Sequence, residues 1–269
     1  MRNSGIRPIV LLTDFGQQDI FAGVLKGVIA SISPESKVID LTHGVLPQDL
    51  LQGSFLLAAS YSYFPKGSIF CVIVDPGVGS DRKGICIETR DYFFLGPDNG
   101  VLWNAASINK IKRIIHLTNT DYFLDSISTT FHARDIFAPV AAYISKGLED
   151  LSILGKPLKK CVEYRFPKID RHDYSLGLTV IHMDRFGNVT LNLSEKEFEG
   201  FVKNQQFCLT INGVRIKKRY HTYSQGEKSE LFLIGGSSSY MEISIKNANA
   251  AKRLSVKSRQ KAVLEIIDS

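Results

Sequence analysis

Hydrophobic residues in the first part of the chain form short apolar runs separated by amphipathic stretches. Residues 9–12, 37–41 and 69–74 are runs rich in branched side chains, which is typical of strands buried on both faces. Between the runs, apolar side chains recur at helical spacing at Phe21, Leu25, Val28, Ile29 and Ile32, and again at Leu50, Leu51, Phe55, Ala58 and Ala59. This β-α-β-α-β order predicts an α/β fold with a mostly parallel, Rossmann-like sheet and flanking helices.

The segment that follows continues the same domain. Two short strands are expected near residues 84–88 and 92–95, then a turn at 96–100, a helix near 101–107 and a strand near 113–117. An apolar helical pattern then begins at Ile136. His132 therefore lies at or just before the N-terminus of a predicted helix.

The character of the sequence changes from about residue 154. Lys156-Pro157, Phe166-Pro167 and a polar stretch to residue 175 indicate a linker. Short strands are predicted beyond it at residues 178–183, 189–193, 206–211, 230–234, 241–245 and 262–267. Asn212-Gly213 is a hairpin signal, so this half is expected to form a small antiparallel barrel or sandwich. We place the domain boundary between residues 1–165 and 166–269.

Composition narrows the class of protein. The 269 residues are 44% hydrophobic, with 33 basic and 27 acidic side chains and a net charge of +6. The basic excess is dispersed and accompanies no nucleic-acid motif, so no nucleic-acid partner is expected. No apolar run is long enough to span a membrane, and the first residues enter a strand without a signal-peptide pattern. We therefore expect a cytoplasmic protein that does not associate with membranes.

The cysteine and histidine residues suggest no metal site. Cys71, Cys86, Cys161 and Cys208 are far apart in the sequence, and no Cys/His cluster has the spacing of a zinc site. Neither a bound metal nor a disulfide framework is therefore predicted. Cys71 is expected to be an apolar core residue.

The strongest candidate for chemistry is at the end of the run at residues 69–74. Asp75 follows this run, Gly77 and Gly79 let the backbone turn sharply, and Arg82 comes seven residues after Asp75. Ligands of open α/β sheets bind beyond the carboxyl ends of the strands. Asp75, Arg82 and His132 could each have a purely structural role, but together they could hold and orient a water molecule.

Three further positions could bind a ligand. Asp14 ends the first strand, where a carboxylate can accept the two hydroxyl groups of a ribose or simply stabilise a turn. Asp184 and Asn188 belong to an Asp-Arg-Phe-Gly-Asn sequence that is also good turn chemistry. The Gly235–Ser239 segment could approach a polar ligand or serve as a plain turn.

Five motifs occur in order along the chain. They are Leu-Leu-Thr-Asp-Phe-Gly at residues 11–16, Val-Asp-Pro-Gly-Val-Gly-Ser at 74–80, Gly-Pro-Asp-Asn-Gly at 96–100, Phe-His-Ala-Arg-Asp-Ile-Phe-Ala-Pro at 131–139 and Asp-Arg-Phe-Gly-Asn at 184–188. This set resembles the S-adenosyl-L-methionine (SAM) hydroxide adenosyltransferases, or SAM hydrolases. These enzymes are related to the fluorinating and chlorinating SAM enzymes. The resemblance runs from residue 9 to about residue 245.

The resemblance implies an N-terminal α/β domain and a C-terminal β-barrel, assembled as a homotrimer with the site at the subunit interface. It implies hydrolysis of SAM to adenosine and L-methionine, with SAM as the substrate and no cofactor. By similarity, the catalytic, water-activating set is Asp75, Arg82 and His132, and Asp14 binds the ribose. Asp184, Asn188 and Ser238 match contacts to the methionine part of SAM.

Two observations favour a hydrolase over a halogenase. The halogenases place a Tyr followed by Ser or Gly where this chain has His132-Ala133, and they carry an extra loop that is replaced here by a short connection from Leu117 to Thr129. An alternative from another class is a sensor that binds SAM or adenosine with little catalysis.

Overall fold

The computed structural model describes residues 5–267, and the chain divides between Arg165 and Phe166 into two compact units. The first unit is an α/β domain. Its elements are β1 (Ile9–Thr13), α1 (Phe21–Ile32), β2 (Val38–Thr42), α2 (Leu50–Ser60), β3 (Ile69–Ile73), β4 (Gly84–Thr89), β5 (Phe93–Pro97), α3 (Trp103–Ile108), β6 (Ile111–Leu117), a π-helical turn (Ala133–Phe137) that continues into α4 (Ala138–Ser145), and β7 (Gly155–Leu158).

The seven strands form one sheet in the order β2-β1-β3-β5-β4-β6-β7. β1 pairs in parallel with β2 and β3, and β3 pairs in parallel with β5. β4 is antiparallel to both β5 and β6, and β7 is antiparallel to β6. Five of the seven strands therefore run in one direction, which confirms the prediction of a mostly parallel sheet with helical crossovers.

Strand β3 lies inside the sheet and is buried on both faces. Ile69, Cys71 and Ile73 face a core that includes side chains of α1 and α4, while Phe70 and Val72 face a second core. This explains the continuous apolar run in the sequence. Cys71 is an apolar core residue as predicted, and burial raises the pKa of its thiol to about 12.

The predicted linker was wrong at two places. Residues Gly155–Leu158 form β7 at the edge of the first sheet, where their backbone pairs with β6. Asp170–Arg171 form a short strand that pairs with Leu176 and Gly177 of the second unit. Proline is tolerated in an edge strand, so Lys156-Pro157 did not exclude a strand there.

The second unit contains mainly antiparallel strands. Its elements are β8 (Asp170–Arg171), β9 (Ser175–Met183), β10 (Val189–Ser194), α5 (Glu195–Val202), β11 (Phe207–Ile211), β12 (Val214–Ile216), β13 (Leu231–Gly235), β14 (Tyr240–Ile245), α6 (Ala250–Arg253) and β15 (Lys261–Ile266). The strand order is β12-β11-β15-β9-β10-β14-β13, with β8 beside β9. The Asn212-Gly213 hairpin lies between β11 and β12, with positive φ at both residues.

This sheet curls into a nearly closed barrel. The chain after β12 reaches β13, because the backbone N–H of Leu233 donates to the Lys218 carbonyl (2.8 Å) and that of Tyr220 donates to the Leu233 carbonyl (2.9 Å). The barrel therefore replaces the sandwich alternative, and the fold class predicted from the sequence is confirmed. Within residues 5–267, no helix combines the length and apolar character needed to cross a membrane.

Candidate active site

Asp75 lies at the carboxyl edge of the first sheet, two residues beyond the end of β3. The turn at residues 96–100 holds the strand end, because the Asn99 side-chain amide donates to the Val74 carbonyl (2.8 Å). The Asn99 amide oxygen also accepts from the backbone N–H of Val101 (3.1 Å). The residue that precedes Asp75 is thus anchored to a neighbouring turn, which fixes the direction in which the carboxylate leaves the sheet.

Asp75 and Arg82 form a close ion pair. Arg82 Nε donates to both carboxylate oxygens at 3.0 Å, and Arg82 Nη2 donates to Oδ2 at 2.6 Å. Only 7% of the Asp75 side chain and 10% of the Arg82 side chain are exposed. A bidentate ion pair shielded from water in this way holds both side chains in a defined orientation.

Gly79 brings the turn after Asp75 against the segment that precedes His132. Its φ of 80° lies in the left-handed region that side chains disfavour. A Cβ at this position would also collide with the backbone carbonyl oxygen of Thr129. Glycine is therefore required both by the turn conformation and by the close approach of the second loop.

His132 completes the candidate catalytic set. It immediately precedes the π-helical turn, as the sequence predicted for a helix N-terminus, and Arg82 Nη2 lies 2.8 Å from His132 Nδ1. Because the guanidinium can only donate, Nδ1 must accept, so the ring is neutral with its proton on Nε2. Burial lowers the pKa of His132, and the positive charge of Arg82 acts in the same direction.

An ion pair with a buried carboxylate stabilises the loop around His132. Asp135 is fully buried, and its Oδ1 accepts from Arg134 Nε (2.6 Å). Its Oδ2 accepts from the backbone N–H of Ser128 (2.8 Å). These contacts join the π-helical turn to the preceding loop. Sequence analysis did not single out Asp135, although a charged pair beside an apolar helical pattern was the available signal.

Asp14 directly follows β1, the strand next to β3, and lies near Asp75. Both line a cavity of about 220 Å³, together with Gln48, Phe131 and His132. Arg82 reaches this group through its contacts with Asp75 and His132. Burial raises the pKa of Asp14, a hydrogen bond from the Gln48 backbone N–H (2.8 Å) lowers it, and the charge of Asp75 raises it further.

Asp184 and Asn188 form the turn between β9 and β10. The backbone N–H of Asn188 donates to Asp184 Oδ1 and its side-chain amide donates to Oδ2, both at 2.8 Å. Both residues line a cavity of about 950 Å³ in the second unit, which Tyr223, Ser237 and Asn249 also line. Asp184 and Asn188 therefore stabilise the turn through their hydrogen bonds and also line the cavity.

The Gly235–Ser239 segment joins β13 and β14 beside the same cavity. Ser237 is among the lining residues, whereas the Ser238 hydroxyl is buried without a hydrogen-bond partner among residues 5–267. The contact predicted for Ser238 remains a prediction. The sequence did not indicate that Ser237 lines the cavity, because a run of three serines does not show which side chain points toward it.

Sequence analysis missed Glu242 and Tyr223. The Tyr223 hydroxyl donates to Glu242 Oε2 (3.1 Å), and burial together with this carboxylate raises the pKa of Tyr223 to about 12. Burial raises the pKa of Glu242, and the hydrogen bond from Tyr223 only partly offsets that effect. Glu242 alternates with buried residues along β14, so its position in a strand gave no sign of a cavity nearby.

The described part of the chain contains no group of three or more His, Cys, Asp or Glu side chains arranged to hold a metal ion. The candidate sites consist of carboxylates, a guanidinium, an imidazole and amide groups. These groups suit recognition of a polar organic ligand and orientation of a water molecule.

The fold and these residues define a two-domain protein, with a polar site at the carboxyl end of a mostly parallel sheet and a cavity in a β-barrel. The profile of the SAM hydroxide adenosyltransferase N-terminal domain matches residues 9–155, and that of the C-terminal domain matches residues 178–263. The chain therefore belongs to the SAM hydroxide adenosyltransferase family.

Individual relatives agree with this assignment. The chain is 33% identical over 255 residues to the (R)-S-adenosyl-L-methionine hydrolase of Salinispora tropica, covering 92% of this chain and 94% of the relative. It is 22% identical over 235 residues to a fluorinase of Actinoplanes sp., covering 77% and 78% of the two chains. The crystal structure of an uncharacterized conserved protein from Thermotoga maritima superposes with a TM-score of 0.89 at 31% identity, covering 95% of this chain and 99% of that one.

Proposed function

We propose that this chain hydrolyses SAM to adenosine and L-methionine. Family membership and the similarity to a SAM hydrolase support the proposal. The single observation that carries it is the continuous contact from Asp75 through Arg82 to His132, beside a cavity that Asp14 also lines. Such a site can hold a water molecule and a ribose at the same time.

The proposed reaction is a displacement at the ribose 5′ carbon. A bond forms between the water oxygen and this carbon while the bond from carbon to the sulfonium sulfur breaks. The electron pair of that bond stays on sulfur, which becomes the neutral thioether of methionine, and the attacking water loses one proton to solvent. Alignment of water and carbon can supply up to ~7–11 kcal/mol, so orientation is the main task of the protein.

The contacts support a separate role for each of the three residues. His132, with its proton on Nε2, donates to the oxygen of the attacking water and thereby directs it. Arg82 supplies the positive charge that stabilises hydroxide character as the proton leaves. Asp75 holds Arg82 in place through the two-oxygen ion pair and compensates its charge.

The remaining residues bind the two ends of the substrate. Asp14 accepts hydrogen bonds from the ribose hydroxyl groups, and Asp184, Asn188 and Ser238 contact the methionine part. Asp184 has no basic partner among residues 5–267, which suits a site for a positively charged ammonium group. SAM is the substrate in this scheme, and the chemistry calls for no cofactor and no metal.

We further infer that the chain assembles as a homotrimer with the site at the subunit interface. The resemblance to the family supports this arrangement. The division of the candidate residues is consistent with it, because Asp14, Asp75, Arg82 and His132 belong to the first unit and Asp184, Asn188 and Ser238 to the second.

The decisive experiment incubates the pure protein with SAM and measures adenosine and methionine by chromatography. We expect equal amounts of both products, and activity reduced at least ~100-fold in Asp75→Ala, Arg82→Ala and His132→Ala. Arg90→Ala is the matched control, because Arg90 pairs with Asp91 on the surface of the same unit and should remain fully active. Bound but uncleaved SAM would instead indicate a sensor, and full activity in the three folded variants would contradict the assigned roles.

A further inference from the structure

His43 is a buried histidine that the proposed reaction does not use. It follows β2, only 2% of it is exposed, and its ring lies between two polar side chains. Nδ1 is 2.8 Å from the Thr13 hydroxyl oxygen, and Nε2 is 3.1 Å from Asp40 Oδ1. Asp40 Oδ2 in turn accepts from the Lys26 ammonium at 2.6 Å.

The direction of these contacts follows from the donors available. The Thr13 oxygen accepts from the backbone N–H of Phe15 (3.2 Å), so its own proton is free to point at His43 Nδ1. The other ring nitrogen then carries the proton and faces Asp40. Burial raises the pKa of Asp40, but its contacts with Lys26 and His43 outweigh this effect and keep the carboxyl ionised. The His43 side chain is therefore held by the hydrogen bond between Nδ1 and Thr13, while Nε2 lies close to Asp40 without the geometry of a hydrogen bond.

The backbone of His43 adds a second connection to the same strand end. Its carbonyl accepts from the N–H of Gly16 at 2.7 Å, while its side chain contacts Thr13. These two contacts bracket Asp14 on both sides along the chain. Because the chain is held in place at Thr13 and at Gly16, the Asp14 side chain between them has little freedom to change direction.

The loop that leaves His43 then returns to Asp14. It ends at Gln48, whose backbone N–H donates to Asp14 Oδ2 at 2.8 Å. Gln48 has a φ of 64°, a left-handed conformation that costs free energy for a residue with a side chain. The Gln52 side chain supports this loop by accepting from the backbone N–H of Leu46 at 2.6 Å.

We propose that His43 is a positioning residue of the active site. Together with Thr13 and Asp40 it fixes the end of β1 and the loop to Gln48, and so sets the direction in which Asp14 faces the cavity. The inference rests on the proposed function only for the identity of the ligand, a ribose with two free hydroxyl groups. Selectivity for that diol then depends on a buried network that does not touch the substrate.

The test compares SAM with its 2′-deoxy analogue. In Thr13→Val and His43→Phe we expect KM for SAM to rise about tenfold, kcat to stay within about threefold, and the preference for SAM over the deoxy analogue to be lost. Thr13→Ser and His43→Gln keep the hydrogen-bonding groups and should restore that preference. His116→Phe, on β6 of the same unit, is the matched histidine control and should leave it unchanged.

A double-mutant cycle separates positioning from general stabilisation. Adding Thr13→Val to Asp14→Asn should raise KM no further, because the first change acts only through Asp14. Additive effects, or an unchanged preference in folded Thr13→Val, would overturn the proposal. Thr13→Val decides the question if His43→Phe does not fold.

The role of His43 can also be tested if the proposed hydrolysis of SAM proves wrong. If the wild-type protein releases no adenosine from SAM, calorimetric binding of adenosine and 2′-deoxyadenosine replaces the kinetic comparison. Loss of the wild-type preference for adenosine in Thr13→Val then supports the role of His43. Retention of that preference contradicts it.

Discussion

Arg82 joins the other two members of the candidate catalytic set. Its Nη2 atom donates to Asp75 Oδ2 at 2.6 Å and lies 2.8 Å from His132 Nδ1. A guanidinium provides several donors in a rigid plane, whereas an ammonium is a compact charge on a flexible stem. The geometry of the site therefore depends on the shape of Arg82 as well as on its charge.

Replacing Arg82 by lysine should separate these two contributions. Arg82→Lys keeps the positive charge but cannot contact both carboxylate oxygens and the imidazole in one plane, so we expect kcat to fall ~100-fold with KM for SAM nearly unchanged. Steady-state adenosine release measures the effect. Arg90→Lys, at a surface ion pair, should behave as wild type. Unchanged kcat in Arg82→Lys would show that charge alone is sufficient.

The neutral state of His132 determines the expected pH dependence. Burial and Arg82 lower its pKa below the ordinary value of 6.5, so protonation, which breaks the contact at Nδ1, occurs only at more acid pH. We expect the fall in kcat/KM that is due to His132 to be centred below pH 6.5. The proposed ribose contact of Asp14 also weakens on the acid side, because the pKa of Asp14 is raised from 3.8 and only the ionised carboxylate can accept from two hydroxyl groups.

A pH profile of kcat/KM checks this expectation. In Asp14→Asn the acid limb due to His132 should remain, because burial and Arg82 lower the pKa of His132 and the substitution changes neither. An acid limb centred above pH 6.5 would contradict the neutral tautomer assigned to the ring.

At the scale of elements, two loops carry the candidate catalytic set, and one glycine lets them approach each other. Gly79 has a positive φ, and the Thr129 carbonyl occupies the space that a Cβ would fill. Gly67 also has a positive φ, of 89°, but open space surrounds its Cβ position. Alanine substitutions at Gly79 and Gly67 therefore separate the free-energy cost of the left-handed conformation from the cost of the collision with Thr129.

Gly79→Ala should destabilise the protein and reduce its activity. The left-handed conformation costs roughly 1–3 kcal/mol, and displacement of Thr129 adds to this while moving the loop that leads to His132. Gly67→Ala should lower the free energy of unfolding by the conformational cost alone and leave kcat unchanged. Chemical denaturation and steady-state kinetics measure both effects, and equal behaviour of the two variants would exclude a role for the Thr129 contact.

The sequence was sufficient to predict elements whose burial is regular. β3 was predicted because all of its residues are buried, and the nearness of Asp75 and Arg82 followed from their spacing around a glycine turn. β7 was missed because an edge strand tolerates glycine and proline. Helix α5 was missed because few of its residues are apolar, although Ser194 and Glu197 form a capping box at its start.

The site was harder to predict than the strands, because hydrogen-bond direction depends on tertiary contacts. The proton position on His132 follows from the donor character of Arg82, fifty residues away in sequence. The link between His43 and Thr13 joins the ends of two parallel strands. Spacing along the chain carries no information on either contact.

At the scale of the whole molecule, the proposed trimer predicts that two inactive variants regain activity when they assemble together, which sites built within one chain could not do. Asp75 belongs to the first unit and Asp184 to the second. In the proposed site, Asp75→Asn should disable the half from the first unit and Asp184→Asn the half from the second. If each site takes its two halves from different subunits, random co-assembly of the two variants should restore intact sites. With equal amounts of both variants, about a quarter of the sites would contain two unmodified halves.

Co-expression of the two variants with different affinity tags, followed by purification through both tags, tests this prediction. Purification through both tags removes assemblies of a single variant, and each mixed trimer has one intact site in three. We therefore expect about a third of wild-type adenosine release from the doubly tagged assembly and a mass of three subunits by light scattering. Asp75→Asn co-expressed with Arg82→Ala is the control, because both changes affect the first unit and every shared site then retains one of them. Since sites built within one chain would stay inactive in both mixtures, recovery confined to the first mixture requires that subunits share their sites.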